Sequence, residues 1–570
     1  MNNKRLRFSS FIFRVLQPDW DVVVVVAVLV SFAIRLLIPS YFAYGAVHDD
    51  ELMVRTAGRI LYSSEYTWDQ FAIQKEPGYP YVLALLLKFE ISPVIFVHIL
   101  YVFSTFWLYL SLRTLIHKSI AAFCVIGILL NPGFFGIGGS RIYNVSFQTA
   151  LIVGLCAAML GLVVSWESQR RVSQRVILGS TGLVVALSWM SITRPDFLLI
   201  AYPILGVFAI WSLITPRRVP KDWHFYCAIL LVMVVIPFMS KAVVRQINSS
   251  RYGVQLVNDV NEGNFKEMME VLASVTAGKQ SKFVVVSNAA LQEVARQSQT
   301  FSQLTPFFLS RDAELWRSIT CDAGGKCDEI AGGYLPLMLR DGIVETFNVT
   351  DAQDFQQVTG RIVSEVQNAC NSERLQCEGR GVGAWLPSIT RFDLRLTFSE
   401  FCKLLVGRTF SFSDRLFLSG TAEPSHASSD ALSTWNRLRE DAWGSKGVTA
   451  NGTPKGLRPI ITHLLSTISL ILRLFAIAGT FLFVVLGLRR AANLDIVRIG
   501  AGMMLAVLAL TSFYALMYAN SFGTHVDGGN LAYLLMAQPV ALIVASFGMH
   551  LLANQIRSIQ NHKLSESFFS

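Results

Sequence analysis

Charge is what this sequence has little of. Only 15% of its 570 residues are Asp, Glu, Lys or Arg, against 52% hydrophobic, where a water-soluble chain carries roughly a quarter charged. That shortage excludes a string of soluble domains and makes lipid the solvent for much of the chain. Internal repeats, low-complexity tracts and heptad runs are also missing, which excludes solenoids and coiled coils. Cysteines are few, eight in all, and none has the tight spacing of a zinc knuckle. The net charge of +10 could suggest nucleic acid. Its basic residues, however, fall in short loops between apolar runs rather than along a stripe, so no nucleic-acid partner is expected.

What is present is a series of apolar runs. A span needs about 20 apolar residues, and ten runs fit: 20–38, 81–113, 119–132, 145–165, 176–192, 197–214, 225–243, 462–488, 497–517 and 531–553. The second is too long for one upright helix and is interrupted by Lys88, Glu90 and Pro93, so its first third is expected to lie in the outer interface. Basic clusters then share one side: Lys4 to Arg14, Arg113 with Lys118, "RRVSQR" at 170–175, "PRRVPK" at 216–221, Arg489 with Arg490, and Arg557 with Lys563. Both termini are expected to be cytoplasmic, and the first run is too long for a cleavable signal. The fold class expected is an all-α polytopic membrane protein of about ten transmembrane helices.

The opposite side receives an acid-rich loop at 39–80 and a long polar segment at 245–460. The chain therefore divides into an N-terminal membrane module (1–244), an extracytoplasmic insert (245–460) and a C-terminal membrane module (461–570). Amphipathic stretches such as "NFKEMMEVLASV" and "DAQDFQQVTGRIVSEVQNAC" make the insert a mostly helical cap, with one helix starting near Thr350 and a short one within 421–447. Two close cysteine pairs, Cys321 with Cys327 and Cys370 with Cys377, suit disulfides in an oxidising exterior. Cys402 is left over, and Cys124, Cys156 and Cys227 are packing residues of spans.

The loop "HDDELMVRTAGRIL…KEPGYP" carries the chemistry. Asp49, Asp50 and Glu51 follow the first span directly, and carboxylates there are costly unless solvated, paired or used. They could simply open a helix, whose N-terminus favours acids. Yet Lys75 and Glu76 precede a proline-glycine turn that folds back toward them. Arg141, Arg194 with Asp196, and His525 with Asp527 emerge from other spans on the same side. Singly each reads as a snorkelling or loop residue; together they would line a cavity of both charges at the depth of a lipid phosphate.

These motifs resemble the GT-C superfamily of membrane glycosyltransferases, and most closely the group of protein O-mannosyltransferases and lipid A aminoarabinose transferases. The likeness rests on an acid pair after the first span, Ala57 seven residues past Asp50, and a K-x-P-x-x-P stretch (Lys75, Pro77, Pro80). "NP…SRIYN", "TRPD" and the last-span "LAYLLMAQP" fall where that superfamily places related features. Two departures stand out. Asn530 and Leu531 occupy the place before Ala532 and Tyr533 where an arginine is frequent, and the acid motif is a triple preceded by His48.

The resemblance implies inverting transfer of a sugar from a polyprenyl-phosphate donor at the outer face of a bacterial inner membrane, for a cell-envelope glycan, lipid or protein acceptor. A partly desolvated carboxylate can serve as base for the acceptor hydroxyl, and cations are needed where the leaving phosphate gains charge. Register with the motif favours Asp50 as the base, with Asp49 and Glu51 orienting the acceptor, although Asp49 remains an alternative. Lys75, Arg141 and Arg194 are the donor-phosphate candidates. His48, Glu76, Tyr143, His525 and Asp527 are placed around the acceptor. The oxygen ligands of "HDD" would also suit Mg²⁺, Mn²⁺ or Ca²⁺. A secondary transporter or a non-catalytic scaffold of the same superfamily are the alternatives; no repeat relates the halves, as a transporter would have.

Overall fold

The computed structural model describes residues 19–38, 47–62, 68–69, 71–169, 174–214, 219–278, 281–322, 324–410, 412, 456–489, 494–522 and 530–569. Among them there are helices and turns but no strand beyond two isolated bridges. Each of the ten apolar runs carries a helix. Nine described helices are long and apolar enough to cross a membrane, which makes the chain an integral, multi-pass membrane protein. The tenth, Leu198–Ile214, has only 17 residues and a proline, Pro203, inside it.

The long second run is two helices, as its charges and proline imply. Gly78–Lys88 ends at a turn in which Glu90 has φ +56°. Ser92 then accepts from the Ile95 N–H and Pro93 opens Pro93–Leu115, where a missing N–H costs nothing. Asn144–Gln169 lies at the centre of the bundle. Its side chains are buried nearly all round, as expected of a helix apolar on every face. It packs along Pro93–Leu115 through small residues: a Cβ on Gly154 would lie 3.1 Å from Ser104 Oγ, and one on Gly161 3.2 Å from Ser111 Oγ. Such contacts hold helices together where lipid gives no hydrophobic drive between them. Arg458–Arg489 and Ala537–Phe569 cross even more closely, since a Cβ on Gly548 would sit 1.9 Å from the Gly479 carbonyl oxygen.

The insert has its own core, built from Phe265, Met268, Leu272, Phe301, Leu335, Met338, Phe355 and Ile362 among others. Three of its helices start at side-chain caps: Ser287 accepts from Ala290 N–H, Ser298 from Phe301 N–H, and Asp351 from Asp354 N–H. The helix expected from Thr350 runs Ala352–Asn371. Cys321–Cys327 and Cys370–Cys377 are disulfides, while Cys124 and Cys156 are buried thiols and Cys402 an exposed one. The helix expected within 421–447 lies outside the described residues.

Two features differ from the expected division of the chain. Val219–Tyr252 is one continuous helix through position 244, because nothing in "SKAVVRQINSSRY" breaks it. Residues near the end of the described insert, including Phe401, Leu404, Phe410 and Phe412, pack in the core of the membrane bundle.

The insert also grips the first outer loop. Arg340 and Asp259, both with no exposure, form an ion pair, and Arg340 Nη2 donates to the Ala72 carbonyl at 2.8 Å. The Asp259 N–H donates to the Ile73 carbonyl at 2.9 Å. Trp68 of the loop packs on the insert core, 6.0 Å from Phe355. Burial pushes the Asp259 carboxyl up to about 6 despite the opposing pull of Arg340.

Candidate active site

A single π-turn, Val47–Glu51, leads into the amphipathic helix Leu52–Tyr62. Consecutive side chains on a helical turn point about 100° apart, so the three acids do not all face the same way. Asp50 and Glu51 turn inward, with 0% and 2% exposure, while Asp49 faces a cavity.

Lys75 is aimed from the other end of the same loop. Ile73 has φ +51°, a left-handed conformation that costs a β-branched residue about 1–3 kcal/mol and persists only where neighbours enforce it. Here Asp259 and Arg340 hold the carbonyls of Ile73 and Ala72. Gly78 then lets the turn press on the end of Gln174–Thr193: a Cβ there would meet Thr193 Oγ1 at 2.5 Å and the Ile192 carbonyl at 2.8 Å. That contact brings "KEPG" beside "TRPD". Arg141 and Tyr143 come from a third segment. Asn131 starts its first turn by accepting from Gly133 N–H at 3.0 Å and ties it to the last span through Gln538 Oε1 at 2.9 Å. Buried Arg35 of the first span supports the next turn, donating to Ser140 Oγ at 3.2 Å and to the Ile38 carbonyl at 2.9 Å.

These segments converge on Tyr143. Lys75 Nζ pairs with Asp49 Oδ1 and lies 3.3 Å from the Tyr143 hydroxyl. Arg141 Nε donates to Asp50 Oδ1 at 2.6 Å, and its Nη2 lies 3.5 Å from Asp49 Oδ2. Arg194 Nε donates to both oxygens of Asp196 at 3.1 Å, with Nη1 3.5 Å from Tyr143 and Nη2 3.4 Å from Tyr514. Its guanidinium stacks 3.8 Å above the Tyr533 ring, a cation–π contact of about 2 kcal/mol when desolvated. Tyr514 donates to Asp196 at 2.6 Å and stacks on Tyr533.

The cavity holds about 400 Å³. Polar groups line one side, with Glu76 accepting from Asn258 Nδ2 at 2.6 Å and Asn261 Nδ2 at 3.2 Å. Aromatic rings, including Tyr334, Trp385 and Phe522, line another, and Lys241 and Met517 also border it.

Burial works against the Asp49 anion, but the attraction of Lys75 and then Arg141 outweighs it and holds the carboxyl well below the usual carboxylate range. Burial, helped by the nearby Asp196 charge, pushes Glu76 up. It also opposes the charged form of Arg141, which Asp50 and Asp49 more than restore. Three cations, Lys75, Arg141 and Arg194, thus balance Asp49, Asp50 and Asp196.

Of the residues read from sequence, Asp49, Lys75, Glu76, Tyr143 and Arg194 border the cavity, and Arg141 joins them through Asp49. Asp50, favoured as base, is fully buried, bound to Arg141 and not among the residues that line the cavity. Glu51 is likewise buried away from the cavity. The side chain of His48 and all of His525 and Asp527 lie outside the described residues. Tyr514, Asn258, Asn261 and Trp385 were not singled out in sequence. Tyr514 lies near the end of an apolar run without a polar motif around it, and the others come from an insert without readable motifs. Of the "HDD" side chains, Asp49 and Asp50 already spend oxygens on Lys75 and Arg141. Among the described residues no group of three or more His, Cys, Asp or Glu converges elsewhere.

No protein-family model matches the sequence, and no curated protein matches it significantly. Two solved structures are similar to it. One is the Archaeoglobus fulgidus oligosaccharyltransferase in the apo form, with TM-score 0.42 and 14% identity over 96% of this chain. The other is the oligosaccharyltransferase AglB of the same organism in complex with an inhibitory peptide and a dolichol-phosphate, with TM-score 0.40 and 12% identity over 95% of this chain. This chain spans 52% of the length of each.

Proposed function

We propose that this protein is an inverting glycosyltransferase that moves a sugar from a polyprenyl phosphate to an acceptor hydroxyl at the outer face of a bacterial inner membrane. One observation carries the reading: Lys75, Arg141 and Arg194 gather around Tyr143 at the edge of a cavity that Asp49 also faces. Cations at the ends of membrane spans, beside a cavity large enough for a sugar, suit an amphiphile whose phosphate lies at that depth. A transporter would place its charges near mid-bilayer instead.

In this reading the donor phosphate docks against Lys75 and Arg194. It competes with Asp49 for Lys75, and as the ammonium turns to the phosphate, the Asp49 carboxyl becomes more basic. The acceptor oxygen attacks the anomeric carbon from the face opposite the phosphate. Its proton passes to Asp49, the bond from carbon to phosphate oxygen breaks, and the charge gained by the phosphate is met by Lys75 and Arg194. Asp50 fixes Arg141 behind them. Glu76, held by Asn258 and Asn261, orients the acceptor.

The test compares membranes of cells carrying the wild type or Asp49→Asn. The variant is expected to accumulate a polyprenyl-phosphate sugar and to lose one sugar from an envelope glycan, lipid or protein, both read by mass spectrometry. Unchanged lipid-linked sugars and unchanged acceptors would exclude the activity.

A further inference from the structure

The segment that leaves the insert for the membrane bundle is the helix Leu394–Leu404 with the π-turn Leu405–Thr409. Both ends are pinned to the Leu494–Met517 span and the turn that follows it. At the upper end the Asp393 N–H donates to Asn520 Oδ1 at 2.8 Å, and Asn520 Nδ2 donates to Thr397 Oγ1 at 3.1 Å. At the lower end the buried hydroxyls of Thr409 and Thr511 are 3.3 Å apart, and Phe412 beyond them has no exposure. Asn520 and Thr511 are nine positions apart, about 13 Å along a helix, whereas Thr397 and Thr409 are twelve apart, about 18 Å. The segment therefore descends obliquely, from the level of the insert to inside the bundle.

Its inner face packs on the bundle through Phe401, Leu404 and Leu405. Its outer face is apolar, and no described residue covers it. Leu394, Phe398 and Val406 are 71%, 68% and 51% exposed, and Cys402 between them is exposed too. At spacing i, i+4, i+8 and i+12 they form one stripe. Arg395 and Lys403 run beside it, both exposed, with Lys403 reaching back to Glu400 at 2.7 Å. A stripe of this kind on a soluble surface would be a liability. On a segment whose lower end is buried among membrane spans, such a stripe suits lipid as its solvent.

We infer that residues 394–406 form a lipid-binding surface: a wedge seated in the outer leaflet, with Leu394, Phe398, Cys402 and Val406 among acyl chains and Arg395 and Lys403 at the phosphates of anionic phospholipids. The turn that Asn520 belongs to also carries Tyr518 and Phe522 into the cavity wall. Bilayer seating of the wedge thereby fixes one wall of the cavity, whatever the cavity binds.

Cys402 supplies the probe. Full-length protein in a Cys227→Ser background, in nanodiscs of phosphatidylglycerol and phosphatidylcholine, is labelled with a nitroxide and its collisions with oxygen and with a water-soluble nickel chelate are measured. The expected result is oxygen access several-fold above that of the chelate, with the signal absent in Cys402→Ser. A label at Glu373→Cys, on the exposed surface of the insert and in a background lacking Cys402, serves as the aqueous reference and should show the opposite ratio. A Cys402 label with the chelate access of that reference would overturn the inference. So would a label shielded from both reagents, because a second copy or residues 413–455 would then cover the stripe.

Discussion

Arg141 binds two neighbouring acids at once, donating through Nε to Asp50 at 2.6 Å and lying through Nη2 3.5 Å from Asp49. Asp50 is fully buried, whereas the Asp49 side chain keeps 29% exposure. The two acids should therefore fail differently. Asp50→Asn leaves the buried guanidinium with only the more distant Asp49 as charge partner, a defect approaching the roughly 3–5 kcal/mol of a broken buried pair, and thermal unfolding of the purified variant should move down by several degrees. Asp49→Asn should unfold close to wild type and lose turnover by at least a hundredfold. Equal loss of stability in both would contradict the division of roles.

The pH dependence follows from Asp49. Lys75 and Arg141 hold its carboxyl below the usual range, outweighing burial, so their pairing is present at neutral pH and is lost as pH falls through that lowered value. In the free protein the acid limb of kcat/KM should therefore lie below an ordinary aspartate, about 3.9. With donor phosphate drawing Lys75 away, the limb of kcat should lie at higher pH. Lys75→Met should raise the limb of kcat/KM. Coincident limbs that Lys75→Met does not move would remove Asp49 from the role of base.

Tyr533 separates stacking from hydrogen bonding. Its ring carries Arg194 at 3.8 Å, while its hydroxyl is a distant 3.4 Å from Tyr143. Tyr533→Phe should keep donor affinity within about threefold. Tyr533→Leu, which removes about 2 kcal/mol of cation–π attraction, should weaken it by roughly tenfold or more. Equal effects would show that the ring face is not what holds Arg194.

The clamp from the insert makes a prediction outside the site. Arg340→Met strands Asp259 and frees the Ala72 carbonyl, releasing the left-handed Ile73 that aims Lys75. Limited proteolysis should then cut within 71–77 faster than in wild type, and donor affinity should fall although Arg340 does not border the cavity. Unchanged cleavage and affinity would mean that the loop holds Lys75 unaided.

Much of this was legible from the chain. The ten apolar runs each became a helix, and Lys88, Glu90 and Pro93 marked a real break, because backbone polar groups in lipid leave few alternatives to a helix. Lys75, Arg141 and Arg194 could be named together because each emerges from a span on one side. The choice between Asp49 and Asp50 could not be read, since a π-turn rotates the acids away from the register of an ordinary helix. Tyr514, Asn258 and Asn261 reach the cavity from far along the chain, and only tertiary packing brings them there. The descent of residues 401–412 into the bundle was hidden for a related reason. Its apolar face is short and lies within a polar segment.

The most direct measurement is binding of undecaprenyl phosphate to the purified protein, set against undecaprenol, which lacks the phosphate. Wild type is expected to bind the phosphate at least tenfold more tightly than the alcohol, and Lys75→Met to lose most of that difference. Equal affinity for the two lipids, or a preference that survives Lys75→Met, would contradict a phosphate held by Lys75 and Arg194.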